Sequence, residues 1–171
     1  MDSSSQEREE KESITEVRTF PVLFALEEIQ ENITIATKTP SKPSKEQLIN
    51  KAIKFHLEGN IQEASKYYQY CLDQGFNDKR IFANYGVILK NLGRTKEAEN
   101  FYRKAIELKP DFAEAHHNLG NILRDLGNLQ DAELSTRKAI ELNPNFADAH
   151  YNLGNILRDL GNLQEAELSY R

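Results

Sequence analysis

Apolar positions Ala115, Leu119, Ile122, Leu123 and Leu126 fall at offsets 0, 4, 7, 8 and 11, with polar residues between them. That spacing predicts a helix with one buried face. Gly127 follows at the point where a left-handed residue ends a helix at little cost. Asp131 then opens a second amphipathic stretch with a negative charge near the helix N-terminus. This second helix turns Ala132, Ala139 and Ile140 inward and stops before Pro144. Start signals recur along the chain. Ser44 precedes Gln47, Asp111 precedes Glu114 and Asn145 precedes Asp148, each spaced as a capping box or a close variant.

The two-helix pattern copies itself. Residues 113–137 and 147–171 are nearly the same sequence at an offset of 34. Residues 79–112 align with 113–146 without a gap, and 45–78 align more loosely. Columns run through all four copies: Gly59, Gly93, Gly127 and Gly161; Ala64, Ala98, Ala132 and Ala166; Asn50, Asn84, Asn118 and Asn152. A chain that repeats at this period is a stack of helical hairpins presenting an extended surface. Gly86, Gly120 and Gly154 on the first helices, with the alanine column on the second, let paired helix axes approach closely. A leucine there would overpack the contact at a cost of roughly 1–3 kcal/mol.

These residues resemble the tetratricopeptide repeat family. Its signature is matched by Phe82, Tyr85-Gly86, Leu89, Ala98, Tyr102, Ala105 and Pro110, and again by His116, Leu119-Gly120, Leu123, Ala132, Thr136, Ala139 and Pro144. The first copy departs, with Ala52 for the glycine, Cys71 for an alanine and Phe76 where proline is usual, as suits a terminal repeat. The resemblance implies an all-α, right-handed superhelical solenoid of antiparallel helix pairs over residues 45–171, divided at 45–78, 79–112, 113–146 and a shortened 147–171. The array is similar to the repeat arm of O-linked N-acetylglucosamine transferase.

Residues 1–44 differ in kind. They carry nine acidic and five basic side chains, so most of the formal charge of −5 sits there and the repeats are near neutral. A near-neutral body argues against a nucleic-acid platform and against an electrostatic membrane anchor. The first nineteen residues are polar and aperiodic, which predicts disorder. Residues 20–30, FPVLFALEEIQ, form a short apolar segment that either folds back on the first repeat or binds a partner, and residues 39–45 read as a linker broken by Pro40 and Pro43. The N-terminus has no secretory pattern, and no apolar run approaches the roughly 20 residues that cross a bilayer. With the lone cysteine Cys71, these features lead to an expectation of a cytoplasmic protein. The fourth copy stops two turns into its second helix. Either the chain is a piece of something longer or that end, expected to show apolar surface, docks on another copy or another protein.

Candidate chemistry lies on the face of each first helix that is neither core nor packed on its own second helix. In the third copy this face carries Glu114, His117, Asn118, Asn121, Arg124 and Asp125; in the fourth, Asp148, Tyr151, Asn152, Asn155, Arg158 and Asp159; in the second, Arg80, Ala83, Asn84, Val87, Lys90 and Asn91. In the family this face lines the concave groove. Stacking would make Asn50, Asn84, Asn118 and Asn152 a ladder beside a row of Lys90, Arg124 and Arg158. An asparagine amide offers one donor and one acceptor side, matching a peptide unit. The resemblance to the transferase arm, whose ladder holds peptide backbone, implies the same role here; capping or bridging between repeats is the alternative. The family's two-carboxylate clamp for chaperone tails is not matched, because the sites hold Ala83, Val87, Asn118, Asp148 and Asn152 and only Asn118 fits.

Catalysis has little support. His116 and His117 point about 100° apart on a helix and cannot chelate one metal. His116 and His150 share a column expected to pack in the core, and Asp125 and Asp159 beside Arg124 and Arg158 read as solvated charges. No phosphate loop, zinc spacing or nucleophile motif is present, so neither cofactor nor metal is expected. The expected function is a protein–protein interaction scaffold that binds an extended peptide. The alternative is the substrate-recruiting arm of a larger glycosyltransferase or sulfotransferase, and a weaker one is self-association through the C-terminal end.

Overall fold

The computed structural model describes residues 42–170. The apolar segment 20–30 and nearly all of the N-terminal leader lie outside the described residues. Eight helices follow one another: α1 (Lys45–Leu57), α2 (Ile61–Asp73), α3 (Lys79–Asn91), α4 (Thr95–Leu108), α5 (Ala113–Asp125), α6 (Leu129–Leu142), α7 (Ala147–Asp159) and α8 (Leu163–Ser169). They pair as hairpins α1/α2, α3/α4, α5/α6 and α7/α8, and each second helix packs on the next first helix. Across repeats α1 touches α3 and α5 touches α7. The first helices therefore stand side by side as one wall, with the second helices behind them. No helix of the described residues is long and apolar enough to cross a membrane.

Each first helix ends as the glycine column predicts. Gly127 has φ of 79°. Its N–H donates to Arg124 O at 2.9 Å and that of Asn128 donates to Leu123 O at 2.8 Å. This pair of bonds satisfies the last carbonyls of the helix. The second helices end in two ways. Lys109 and Asn143 turn extended ahead of Pro110 and Pro144. In the first repeat Gly75, with φ of 73°, replaces that device, and the Phe76 N–H donates to Cys71 O at 3.0 Å.

Helix starts follow the expectation once and depart from it twice. Ser44 and Gln47 form the full capping box of α1. The boxes expected at Asp111/Glu114 and Asn145/Asp148 do not form, because α5 and α7 start after Phe112 and Phe146, which have no side-chain cap. The aspartate and asparagine thus stand one residue too early. Phe112 instead lies under Lys79 and Lys109, with ammonium-to-centroid distances of 5.4 and 5.6 Å. Packing has displaced capping at these two starts.

The core runs the length of the stack. Tyr68, Tyr102, Ile81, Ile88, Leu89, Ile122, Leu123, Ile156 and Leu157 are essentially inaccessible. Burying one such side chain contributes roughly 1.5–3 kcal/mol. The alanines 64, 98, 132 and 166 are all buried. Opposite them the helix glycines meet a column on the second helices: Gly86 faces Tyr102, Gly120 faces Thr136 and Gly154 faces Tyr170. Leu163 and Leu168 on α8 are each 65% exposed.

Candidate functional site

The wall of first helices sorts the asparagine column into three situations. Asn50 is exposed and stands one turn from Glu46 on the same helix, whose carboxyl it helps to lower. Asn84 and Asn118 are half-buried, and their side-chain amides have no hydrogen-bond partner among the described residues. Asn152 does not belong on an open ladder. It is 4% exposed, and its Nδ2 donates to Thr136 Oγ1 at 3.3 Å. The cause lies on α6. Thr136 stands where the other repeats have Tyr68, Tyr102 and Tyr170, and Asn152 reaches into the space that the shorter side chain leaves.

The cations expected in a free row each stand beside a carboxylate, and Asp125 and Asp159, read as solvated charges, are exposed and take part in these pairs. Lys90 Nζ lies 3.9 Å from Asp125 on α5. Arg124 Nε donates to Asp159 Oδ2 on α7 at 2.7 Å. Arg158 approaches the same Asp159 at 3.5 Å. The Arg124 hydrogen bond holds the Asp159 carboxyl below its ordinary range. Near the helix starts Arg80 grips Glu46 through two bonds of 2.7 Å each, and also bonds Asp78. Glu46 and Asp78 are both lowered, chiefly by that guanidinium.

The remaining expected residues sit in two further contacts, one around His117 on α5 and one around Tyr151 and Asn155 on α7. Asn121 Nδ2 donates to His117 Nε2 at 3.0 Å. The His117 ring packs on Phe146, with centroids 4.8 Å apart. His117 Nδ1 is buried without a partner among the described residues. Burial pushes the His117 pKa down, Lys90 adds to this and Asp148 opposes it. Tyr151, 64% exposed, lies 5.6 Å from the Tyr170 ring. The Tyr170 hydroxyl donates to Asn155 Oδ1 at 3.1 Å.

His116 and His150 do not pack as core residues. Both are half-buried, and their Nε2 atoms donate to Pro110 O at 2.8 Å and Pro144 O at 2.9 Å. Each clips the turn before its helix to the helix itself. Among the described residues no group of three His, Cys, Asp or Glu could hold a metal ion.

Sequence reasoning missed the cross-repeat pairs Arg80–Glu46, Lys90–Asp125 and Arg124–Asp159. A signal for the last two was present, since a cation in one copy is followed 35 residues later by an aspartate, twice in succession. The His117–Phe146 contact had no such signal, because it depends on where the chain enters α7.

Three comparisons bear on this geometry. Residues 86–127 and 120–161 match a family model described as TPR repeat. No curated protein matches the chain. Among solved structures, MamA is similar in fold at TM-score 0.69 and 19% identity, over 74% of this chain and 74% of that one. YrrB, described as a TPR protein with an unusual peptide-binding site, is similar at TM-score 0.66 and 24% identity, over 74% and 65%. An O-GlcNAc transferase of Thermobaculum terrenum is similar at TM-score 0.61 and 25% identity, over 66% of this chain and 22% of that one.

Proposed function

The repeats of this chain belong to the tetratricopeptide family, and from that premise we propose that the chain is a protein–protein interaction scaffold whose first-helix wall forms a groove for an extended peptide. One observation carries the reading. Asn84 and Asn118 stand on successive repeats with side-chain amides that have no partner among the described residues. Each can exchange a donor and an acceptor with one peptide unit without regard to its side chain. Asn121 adds a third amide, with its oxygen still able to accept, and Tyr151 offers an exposed ring at the far end.

Magnitudes set the expected affinity. A hydrogen bond contributes roughly 0.5–1.5 kcal/mol net, and ordering a flexible peptide opposes this. Binding of a single short peptide is therefore expected in the micromolar range or weaker. Replacing Asn84 and Asn118 together by alanine should weaken it by about thirtyfold, the centre of the range for one net bond from each amide. Fluorescence anisotropy with labelled peptides measures the affinity, and circular dichroism checks that helicity is kept. Unchanged affinity in the double variant rejects the amide reading.

The likeness to the transferase favours a second reading, in which the chain is the substrate-recruiting arm of a modifying enzyme. The chain spans 22% of that transferase. The two readings separate on whether the coding sequence runs on from this chain into an α/β catalytic domain.

A further inference from the structure

We infer that the groove takes an uncharged extended segment rather than an acidic or a basic one, because the cations along its wall are already held by carboxylates of the same wall. The inference rests on the peptide reading above and names the chemistry of the partner.

On repeats two to four the face carries four cations and four carboxylates. Arg80 is locked to Glu46 and Asp78. Lys90 is paired with Asp125 and Arg124 with Asp159, while Arg158 leans on the same Asp159. These contacts run from one repeat to the next, apart from those of Arg158 and of Arg80 with Asp78. They hold the wall together and neutralise it at once.

An acidic peptide would have to displace a carboxylate tethered beside its cation. A tethered group competes at an effective concentration in roughly the millimolar range, so a dilute peptide carboxylate gains little from the exchange. A peptide lysine fares no better. Asp125 and Asp159 are occupied, and Glu114 and Asp148 are exposed single charges on successive repeats, where water and salt screen attraction. Beyond those two screened single charges, what the wall leaves unpaired is neutral: the amides of Asn84 and Asn118. Recognition by neutral amides is also insensitive to salt, because no ion is displaced on binding.

The test uses the full chain and three labelled peptide pools of one length. One contains only Ser, Thr, Ala, Asn and Pro, the second adds Asp and Glu at regular positions, and the third adds Lys at those positions. Anisotropy is read at low salt and at about 0.5 M salt, where the Debye length falls to a few ångströms. The uncharged pool should bind tightest, with the same affinity at both salt concentrations. Tighter binding of the acidic or the basic pool, weakened by salt, overturns the inference while leaving the peptide groove standing. Failure of all three pools to bind removes the groove reading and the inference with it. The double variant D125N/D159N supplies the converse. Freeing Lys90 and Arg124 should raise low-salt affinity for the acidic pool about fivefold, the upper end of what one exposed ion pair contributes. Unchanged acidic-pool affinity in a variant of normal helicity would show that the pairs do not set the preference, and would overturn it too.

Discussion

The proton on His117 sits on Nδ1, because Nε2 accepts from the Asn121 amide. Nδ1 is buried with no acceptor among the described residues, and the ring lies on Phe146. A second proton would therefore charge a desolvated ring, which is why its pKa is depressed. The charged groups around it pull in opposite directions, with Lys90 on α3 lowering the value and Asp148 on α7 raising it. The sign of the pH effect follows. Below about pH 6.5 the unfolded histidine takes up a proton before the folded one does, so stability falls as pH drops through that window and levels off below the folded pKa. His56, also depressed by burial, acts in the same direction. The lowered carboxylates Asp78, Glu99 and Asp159 lose their contribution only nearer pH 4 and below. Urea midpoints between about pH 7.5 and 5.5 should therefore fall in the natural protein, and fall less in His117→Gln. An equal fall in both would mean that the ring is not held neutral by its surroundings.

Helix pairing depends on what stands opposite each glycine, and the three hairpins with a glycine there should respond unequally to one added methyl. A Cβ on Gly120 would collide with Thr136 Oγ1 and come within 3.2 Å of the Ala132 carbonyl oxygen. Thr136 is fully buried and β-branched, so neither neighbour can retreat. A Cβ on Gly154 would meet only the Tyr170 ring, which is 43% exposed and can swing outward. Gly120→Ala should cost about 2–3 kcal/mol from overpacking. Gly154→Ala should be nearly neutral, because the helix gains about 1 kcal/mol from replacing glycine. Denaturant titration of the two variants separates these outcomes, and equal losses would refute the role given to Thr136. At this scale the sequence was a good guide to where helices stop, because a positive-φ glycine or a proline leaves a local mark, as at Gly127 and Pro144. It was a poorer guide to where they start. Asp111 and Asn145 carry the right side chains, but Phe112 and Phe146 occupy the cap positions for reasons of packing between repeats, which no local spacing records.

Repeat stacks hold together through nearest-neighbour contacts, so a change at one junction is felt mainly beside it. The period of 34 made the rows of the wall legible: Asn84 and Asn118 recur at one position of the first helices, and so do Lys90, Arg124 and Arg158. What the rows could not show is how one row meets the next, since the ion pairs run along a diagonal and Asn152 is drawn inward by a substitution on α6. That last contact turns a residue expected to bind peptide into one that couples the third repeat to the fourth. Asn152→Ala removes the bond to Thr136 and leaves the buried hydroxyl without its donor, at a cost of about 1–3 kcal/mol. The loss falls on the α6/α7 junction, which the exposed Arg137–Glu165 pair between α6 and α8 can support only weakly. Hydrogen exchange should then show α7 and α8 opening at lower free energy, while α1 to α4 keep their protection. Peptide affinity should change far less than in the Asn84/Asn118 double variant, because Asn152 presents no free amide to the groove. A uniform loss of protection over all eight helices would mean that the stack unfolds as one unit, and a large loss of peptide affinity would return Asn152 to the binding face.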